Sequence, residues 1–333
     1  MTMFRSTSNA SGDDREPPDD RRPPPVVRVV SAQVSLVQRV RNIWLYRECL
    51  IALTRKELKV KYKNSVLGFL WSLLNPATSL LVFYIVFQLV LRNGIPFFAI
   101  YLISGILVWN LFSVALPQCT GSIVANAPIV KKVSFPREIL SFASIGAAVV
   151  HFFLQCIVLL AFLAIFHRQP AYAYLPLLIP ALIALLLLTA GLGVLLAAVN
   201  VKLRDMQHMV DIGLQVWFWG TPIVYQYRLV RDNVAARMVA GKLVPAAGGF
   251  KHIAFLIFRL NPLTPIVLTF QRALYAQTSP LGANHKPVAI LPDHAHQWWY
   301  LWQLLLVIAF SLALLAFALR VFGRLEGNFA EDL

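Results

Sequence analysis

The feature of this sequence that most constrains its fold is a series of long stretches that contain no Asp, Glu, Lys or Arg. They cover residues 64–91, 93–130, 139–167, 169–201, 212–227 and 294–319. A helix needs about 20 mostly apolar residues to cross a hydrocarbon core about 30 Å thick. Five of the stretches exceed that length, and residues 212–227 reach it only by extending back across Asp211. We therefore predict an all-α polytopic membrane protein with six transmembrane helices.

The pattern assigns a transmembrane domain to residues 66–325. Its predicted spans are residues 66–91, 97–122, 139–166, 175–200, 206–227 and 297–320. Composition supports this class of protein, because 58% of the residues are hydrophobic and 14% are charged. Ordinary soluble domains have about 45–50% apolar and about 25% charged residues.

The position of the positive charge predicts the orientation and argues against a nucleic-acid partner. The formal net charge is +15, yet 20 of the 30 Lys and Arg residues fall in the segments that are cytoplasmic if both termini are cytoplasmic. Cytoplasmic flanks of membrane helices collect Lys and Arg. Residues 228–296 carry several basic residues on the opposite side, but a segment longer than about 60 residues escapes that rule. We predict a multi-pass protein with both termini in the cytoplasm.

The terminal segments have compositions unlike those of the spans. Residues 1–30 combine mixed charge with five prolines and predict a disordered cytoplasmic tail. Residues 31–65 place apolar residues at helical spacing and end in a basic cluster, which is typical of an amphipathic helix at the membrane surface. A simple positively charged flank of the first span is an equally good interpretation. Residues 326–333 are the predicted cytoplasmic C-terminus.

The segment between the fifth and sixth spans predicts a re-entrant element. Residues 228–296 contain a short apolar piece, 260–271, that Pro262 and Pro265 interrupt. Twelve uncharged residues are too few for a crossing. Irregular backbone at membrane depth is tolerated where protein or a water-filled cavity satisfies it. We therefore expect this piece to dip into the outer side of the membrane and return.

Missing motifs limit the chemistry that this chain can perform. No Gly-x-x-x-x-Gly-Lys-Ser/Thr loop is present, so the sequence predicts no ATP site and no cofactor in this chain. The charge-free stretches offer no intramembrane carboxylate to an ion-coupled carrier. Carboxylates do not converge as a membrane enzyme of glycan assembly would require, which leaves that reading weak. We therefore predict a transport protein that forms a path across the membrane and takes the energy for transport from a partner protein.

One face of the third predicted span is polar. Ser144, His151 and Gln155 recur at helical spacing, and such residues usually face neighbouring helices rather than lipid. We interpret His151 and Gln155 as packing and hydrogen-bonding residues, with a contribution to a substrate path as the alternative.

Several motifs together resemble one family. They are residues 55–71 (RKELKVKYKNSVLGFLW) with Leu74-Asn75-Pro76, residues 102–106 with Trp109-Asn110, residues 129–138 (IVKKVSFPRE), residues 200–205 and residues 261–266 (NPLTPI). Their order over about residues 50–325 is similar to that of ABC-2 type permeases that export O-antigen, galactan or teichoic acid. The departures from that pattern are a longer N-terminal tail and extra residues between spans five and six.

The resemblance implies a partner and a cargo. It implies a homodimer of this subunit on two copies of a separate ABC ATPase, which binds the ATP and Mg²⁺. It also implies export of a polysaccharide linked to polyprenyl pyrophosphate across the bacterial cytoplasmic membrane. An ABC-2 permease for a drug or a small lipid shares this architecture and is the alternative.

Residues 126–138 form the predicted contact with the ATPase. The segment is cytoplasmic and basic, and prolines break the helices on either side of it, so a short helix there could transmit rigid-body movement of the ATPase. The residues assigned to coupling are Pro128, Lys131, Lys132, Phe135, Pro136, Arg137 and Glu138. The alternative is a solvated connector.

Aromatic and basic residues are the predicted contacts with the substrate. Sugar faces stack on aromatic rings, which indicates a path along Trp71, Tyr84, Tyr101, Trp109, Trp217, Trp219 and Tyr225. Trp and Tyr also anchor helices at membrane interfaces, which is the competing interpretation. The basic cluster near the first span is placed to meet the pyrophosphate and contains Arg55, Lys59, Lys61 and Lys63.

Overall fold

The fold is known from a computed structural model. The structure describes residues 35–63, 65, 70–92, 94–133, 135–227, 238–239, 242–243, 260–276, 290–292, 296–329 and 333. The predicted disordered tail, residues 1–30, and much of the predicted outer region, residues 228–296, lie outside the described residues.

The described part is almost entirely helical. In chain order the helices are α1 (Leu36–Leu45), α2 (Arg47–Tyr62), α3 (Trp71–Phe83), α4 (Phe98–Ala125), α5 (Ala127–Lys132), α6 (Glu138–Ile165), α7 (Leu178–Lys202), α8 (Met206–Trp219), α9 (Leu263–Leu274) and α10 (Gln297–Leu325). A π-helical segment, Tyr84–Val90, continues α3, and 3₁₀ segments precede α7 (Tyr172–Leu177) and follow α10 (Glu326–Asn328). Two short strands, β1 (Met238–Val239) and β2 (Lys242–Leu243), pair antiparallel.

Four of these helical segments are long and apolar enough to cross a membrane. Within the described ranges they are Phe98–Ala125, Glu138–Ile165, Tyr172–Lys202 and Gln297–Leu325. Each has 28 to 31 residues, whereas about 20 suffice. They coincide with the second, third, fourth and sixth predicted spans, so the prediction of a helical, multi-pass membrane protein is confirmed at this level.

The other two predicted spans have shorter helices in the structure. The first predicted span corresponds to α3 and its π-helical continuation, with an apolar helix over Pro76–Val90. In the fifth, predicted at residues 206–227, α8 ends at Trp219 after 14 residues, about 21 Å of helix. The following segment contains Pro222, which lacks the N–H that a continuing helix needs. Six crossings therefore remain a prediction.

Helix α7 lies between α4 and α10, and small residues bring the three backbones together. A Cβ on Gly193 would lie 2.5 Å from the sulfur of Cys119 on α4. A Cβ on Gly191 would lie 3.1 Å from the backbone nitrogen of Leu315 on α10. Membrane helices pack most closely where small residues line the contact. These two glycines therefore allow α7 to pack closely against α4 on one side and α10 on the other.

Helix α4 runs through the centre of the core. Its side chains Tyr101, Val108 and Phe112 are 0% exposed. The short helix α9 packs against α4, α7 and the 3₁₀ segment before α7. Eleven of its twelve residues are buried. At about 18 Å, α9 is too short to cross, and it is an inner element rather than a surface loop.

Helix α2 packs along α6. The Thr54 hydroxyl lies against Gly146, where a Cβ would come within 2.9 Å of it. Farther along, the Tyr62 hydroxyl lies 3.0 Å from Nδ1 of His151. Helix α1 instead exposes apolar side chains, with Val37 80% and Trp44 73% exposed. Both N-terminal helices thus contact the bundle, α2 along α6 and α1 at the end of α10, while α1 also presents an apolar surface.

Candidate functional site

The predicted coupling segment, residues 126–138, contains the short helix α5. Its cap residue Asn126 is buried, and the Asn126 side chain accepts a hydrogen bond from the Lys56 ammonium on α2. Three of the predicted coupling residues are exposed on α5, namely Pro128, Lys131 and Lys132. The surface that α5 offers to a partner is therefore basic, and α2 is tied to it directly.

Two other predicted coupling residues, Arg137 and Glu138, point inward. Glu138 is 2% exposed and forms an ion pair with Arg39 of α1, which also lies 3.2 Å from a carboxylate oxygen of Glu326. The Arg137 guanidinium donates a hydrogen bond of 2.7 Å to the backbone carbonyl of Glu326. This group, called here the arginine–glutamate cluster, joins α1, the start of α6 and the end of α10.

Burial and charge act on Glu326 within this cluster. Burial raises the pKa of its carboxyl group above the ordinary value, the nearby Glu138 carboxylate raises it further, and the guanidinium groups of Arg39 and Arg137 partly offset both effects. A raised carboxyl pKa means that protonation favours the folded state. The cluster is thus stabilised as pH falls through the pKa of Glu326 and loses that contribution as pH rises.

The remaining coupling residues, Phe135 and Pro136, are half-buried. Phe135 packs against an apolar cluster that includes Phe322 and Phe329. The Arg137 guanidinium lies 5.8 Å from the centre of the Phe329 ring. The seven predicted residues therefore divide into an outward-facing group on α5 and a group that attaches the segment to the C-terminal end of the chain. The sequence showed their charge but not this division.

Most of the predicted path aromatics pack against other aromatic rings or are hydrogen-bonded to the backbone. Tyr101 is 0% exposed, and its hydroxyl donates a hydrogen bond of 2.8 Å to the carbonyl of Tyr225. The Tyr225 hydroxyl donates in turn to the carbonyl of Trp219, at 2.7 Å. Trp109 packs edge-on against Phe218, with ring centres 5.2 Å apart. In this conformation Tyr101 is a core residue, and its path role stays a prediction.

Asn261 holds the segment after α8 against α9. Its side-chain oxygen accepts hydrogen bonds from the Trp217 indole at 2.9 Å and from the backbone nitrogen of Leu263 at 3.0 Å. Its amide nitrogen donates to the carbonyl of Gly220 at 3.0 Å and to the Thr221 hydroxyl at 2.9 Å. Asn261 is only 7% exposed, and all of its amide groups are used. From the sequence, Pro262 is an interruption of the apolar piece and residues 261–266 are a family motif, but these hydrogen bonds of Asn261 were not predicted.

Two predicted path aromatics are exposed. Trp71 at the start of α3 is 50% exposed, and Trp219 at the end of α8 is 54% exposed. Tyr84 is half-buried beside Phe98, with ring centres 6.4 Å apart. Of the seven predicted path aromatics, Trp71 and Trp219 are therefore the most exposed, and the structure does not gather the seven into one row.

Helix α8 carries an exposed polar stripe that ends at Trp219. The stripe consists of His208, Asp211, Gln215 and Trp219, at spacings of three, four and four residues. Residues at these spacings share one face of a helix. All four are exposed. The same helix also exposes the apolar residues Met209 and Val216, so α8 presents both kinds of surface.

The predicted pyrophosphate contacts lie on or just after α2. Arg55, Lys59, Lys61 and Lys63 are exposed, and no ion pair involves them within the described residues. Burial of its ammonium group lowers the pKa of Lys61. Lys61 therefore combines an accessible side chain with an amine that is partly removed from water.

Comparison with known proteins agrees with this architecture. The family described as "ABC-2 type transporter" matches residues 48–240. The O-antigen export system permease protein RfbA of Myxococcus xanthus is 29% identical over 299 residues, covering 90% of this chain and 100% of that protein. The protein of the same name from Klebsiella pneumoniae is 28% identical over 292 residues, covering 88% and 97%. The chain, with its four long apolar helices, belongs to the ABC-2 type transporter family.

Proposed function

We propose that this chain is the membrane-spanning permease subunit of an ABC exporter in the bacterial cytoplasmic membrane. Its cargo is a polysaccharide linked to polyprenyl pyrophosphate, and its energy comes from a separate ATPase that binds ATP and Mg²⁺. The O-antigen export names of relatives that align over nearly the whole chain support the class of cargo. The motif resemblance supports the same assignment.

The observation that carries the proposal is the polar stripe on α8. An ionisable side chain such as Asp211 is costly when it faces hydrocarbon, so in membrane proteins such residues face a bundle interior or a water-filled cavity. Within the described residues Asp211 has no ion-pair partner in its own chain. If a second copy of the chain faces the stripe across a water-filled space, the Asp211 carboxylate contacts water and not hydrocarbon. The stripe also offers hydroxyl-binding groups and the Trp219 ring to a sugar chain.

The proposed topology has six crossings and both termini in the cytoplasm. The helix ending at Val90 supplies the first crossing, and α8 with residues 220–227 supplies the fifth. Helix α9 is the proposed re-entrant element, supported by its burial and its short length. Helices α1 and α2 form the proposed interface region, since α1 exposes Val37 and Trp44 and α2 exposes basic residues.

Coupling to the ATPase is assigned to α5. Lys131 and Lys132 are exposed at the end of this helix, where an acidic groove could receive them. Two copies of the ATPase would each meet one permease subunit of the homodimer. Movement of α5 would reach α2 through Lys56 and Asn126, and α6 through the backbone.

The test is export by the purified permease reconstituted with its ATPase. The variant Asp211→Leu/Gln215→Leu makes the stripe apolar, and Met209→Leu/Val216→Leu changes exposed apolar positions of the same helix as a matched control. We expect the first variant to lose export by about tenfold, the effect of about 1.4 kcal/mol, while it still assembles with the ATPase. The control should export normally. Unchanged export by the stripe variant would contradict the proposal.

An ABC-2 permease for a drug or small lipid remains the competing function. The long coverage of O-antigen export permeases favours the polysaccharide exporter. Stimulation of ATP hydrolysis by lipid-linked glycans, compared with that by amphipathic drugs, separates the two functions.

A further inference from the structure

Two adjoining cavities lie between α2, α3, α4 and α6. The first, called here the polar chamber, has a volume of about 440 Å³, and the residues that give it its character are Lys61, Tyr62, Trp71, Thr78, Ser79 and His151. The second, called here the apolar chamber, also measures about 440 Å³ and is represented by Leu80, Tyr84, Ile103, Ile106, Val158 and Phe162. Both are lined by Pro76, Asn110 and Gln155, so they share a boundary.

The two chambers differ sharply in chemistry. The polar chamber offers one ammonium group, three hydroxyl groups and two amides, and no Asp or Glu is among the described residues that line it. The described lining of the apolar chamber is aliphatic and aromatic apart from Asn110, Gln155 and the Tyr84 hydroxyl. A ligand that fills both must have a polar, anion-compatible end and an apolar end.

Lys61 is the group that selects an anion. It has no carboxylate partner within the described residues, and burial lowers the pKa of its ammonium group. A bound phosphate would supply the missing counter-charge. A third cavity of about 430 Å³ shares Lys61 and His151 but also contains Glu57, whose carboxylate would repel an anion. The polar chamber is therefore the better place for a phosphate.

Helix α6 gives the direction and length of the site. His151, Gln155, Val158, Phe162 and Phe166 line the chambers at spacings of four, three, four and four residues, and so change from polar to apolar along one face. The distance from Gln155 to Phe166 along the helix is about 17 Å. One leaflet of a hydrocarbon core about 30 Å thick measures about 15 Å. An acyl chain of ordinary phospholipid length fits this span.

The boundary residues match the middle of such a lipid. Asn110 donates a hydrogen bond of 3.2 Å to the side-chain oxygen of Gln155. Within the described residues the amide nitrogen of Gln155 has no hydrogen-bond acceptor of its own, which leaves it available to an ester carbonyl. Esters lie between the phosphate and the acyl chains of a glycerophospholipid, the same order as the polar chamber, the amide pair and the apolar chamber.

We propose that this two-chamber groove binds one anionic glycerophospholipid of the bilayer, with its phosphate at Lys61 and an acyl chain against Val158 and Phe162. None of the residues lining either chamber belongs to α8, but Lys61, Trp71 and Tyr84 are also predicted substrate contacts, so competition with a polyprenyl phosphate distinguishes a phospholipid site from a substrate site.

The experiment is native mass spectrometry of the purified full-length chain titrated with phosphatidylglycerol or with phosphatidylcholine of the same acyl chains. We expect wild type to retain phosphatidylglycerol about fivefold more tightly, in line with one basic residue near an anionic lipid. Lys61→Gln should remove this preference. Lys202→Gln is the control, because Lys202 is an exposed lysine at the end of α7 and lines neither chamber; it should keep the preference.

A second pair of variants tests the apolar chamber. Val158→Trp fills it and should weaken binding of both lipids, while Leu160→Trp, at a 61% exposed position of the same helix, should not. Thermal unfolding checks that each variant is folded.

Three results would overturn the proposal. The first is equal phosphatidylglycerol binding by wild type, Lys61→Gln and Val158→Trp. The second is displacement by inorganic phosphate alone, which would make this a free-phosphate site. The third is displacement by a polyprenyl phosphate at a lower concentration than phosphatidylglycerol, which would make the groove a substrate site. Binding is measured without the ATPase, so failure of the export proposal would not affect this readout.

Discussion

At the scale of single residues, buried amide side chains donate hydrogen bonds to backbone carbonyls that a continuous helix would have paired with its own N–H groups. Where α8 ends, the backbone carbonyls of Gly220 and Pro222 accept no helical hydrogen bond within the described residues. Asn261 bonds to the carbonyl of Gly220, and the Gln271 amide donates a hydrogen bond of 3.2 Å to the carbonyl of Pro222. An unpaired polar group in hydrocarbon costs several kcal/mol. Asn261, just before α9, and Gln271 on α9 therefore supply hydrogen-bond partners where the chain leaves the helix after α8.

Asn261 should accordingly be essential for stability. Asn261→Ala leaves the indole N–H of Trp217 and the carbonyl of Gly220 without partners, at a cost of about 1–3 kcal/mol for each buried group. We expect a drop of several degrees in Tm, measured by thermal unfolding of the protein in detergent. Thr221→Val removes one hydrogen-bond partner of Asn261 at nearly constant side-chain volume and should cost less. Equal Tm values for wild type and Asn261→Ala would show that water or another residue replaces the amide.

At the scale of elements, the sequence predicted the four long helices, and it did not predict the residue at which α8 ends. The four long spans followed from charge-free stretches, because a helix satisfies its own backbone hydrogen bonds in lipid. The end of α8 at Trp219 did not follow, since residues 220–227 are as free of charge as a span. The deciding partner, Asn261, is 41 positions from Gly220 in sequence. A pattern of local residues cannot show a contact of that separation.

The coupling segment also combines a local feature, which the sequence shows, with a contact between distant residues, which it does not. Lys131 and Lys132 end the exposed helix α5, whereas Arg137 is hydrogen-bonded to the backbone of Glu326. Charge reversal of both lysines to Glu should abolish co-purification with the ATPase and leave Tm within about one degree, because exposed substitutions change stability by less than about 0.5 kcal/mol. A pull-down with the tagged ATPase measures how much of the wild-type permease and how much of the Lys131→Glu/Lys132→Glu variant it retains.

Arg137→Ala is the control for that experiment. It should lower Tm, because it removes both a hydrogen bond and the contact with the Phe329 ring. Retention of the ATPase by the double lysine reversal would move the coupling contact away from α5. Loss of the ATPase together with a large fall in Tm would mean that the lysines have a structural role instead.

At the scale of the whole molecule, the described chain has polar surface that a lone subunit could not place in a membrane. The sequence predicted a homodimer only through its family resemblance, because exposure of Asp211 and Gln215 is a property of the packed helices. The predicted aromatic path likewise required the fold. The packing buries Tyr101 completely and leaves Trp219 exposed at the end of the α8 stripe.

A two-fold dimer that faces the α8 stripe predicts a specific cross-link. In a C2 assembly the same surface of both copies meets at the axis, so a cysteine at Gln215 should lie near its own equivalent. Cys49, Cys119 and Cys156 are first replaced, by Ser at the half-buried sites and by Ala at buried Cys119, where Gly193 leaves no room for a larger group. Gln215→Cys in native membranes should then give a covalent dimer with a short bis-maleimide. Leu312→Cys, at an exposed apolar position of α10, should remain monomeric, since that face meets lipid. Cross-linking of Leu312→Cys but not of Gln215→Cys would place the dimer contact on α10 and leave Asp211 without the hydrated partner surface that its charge requires.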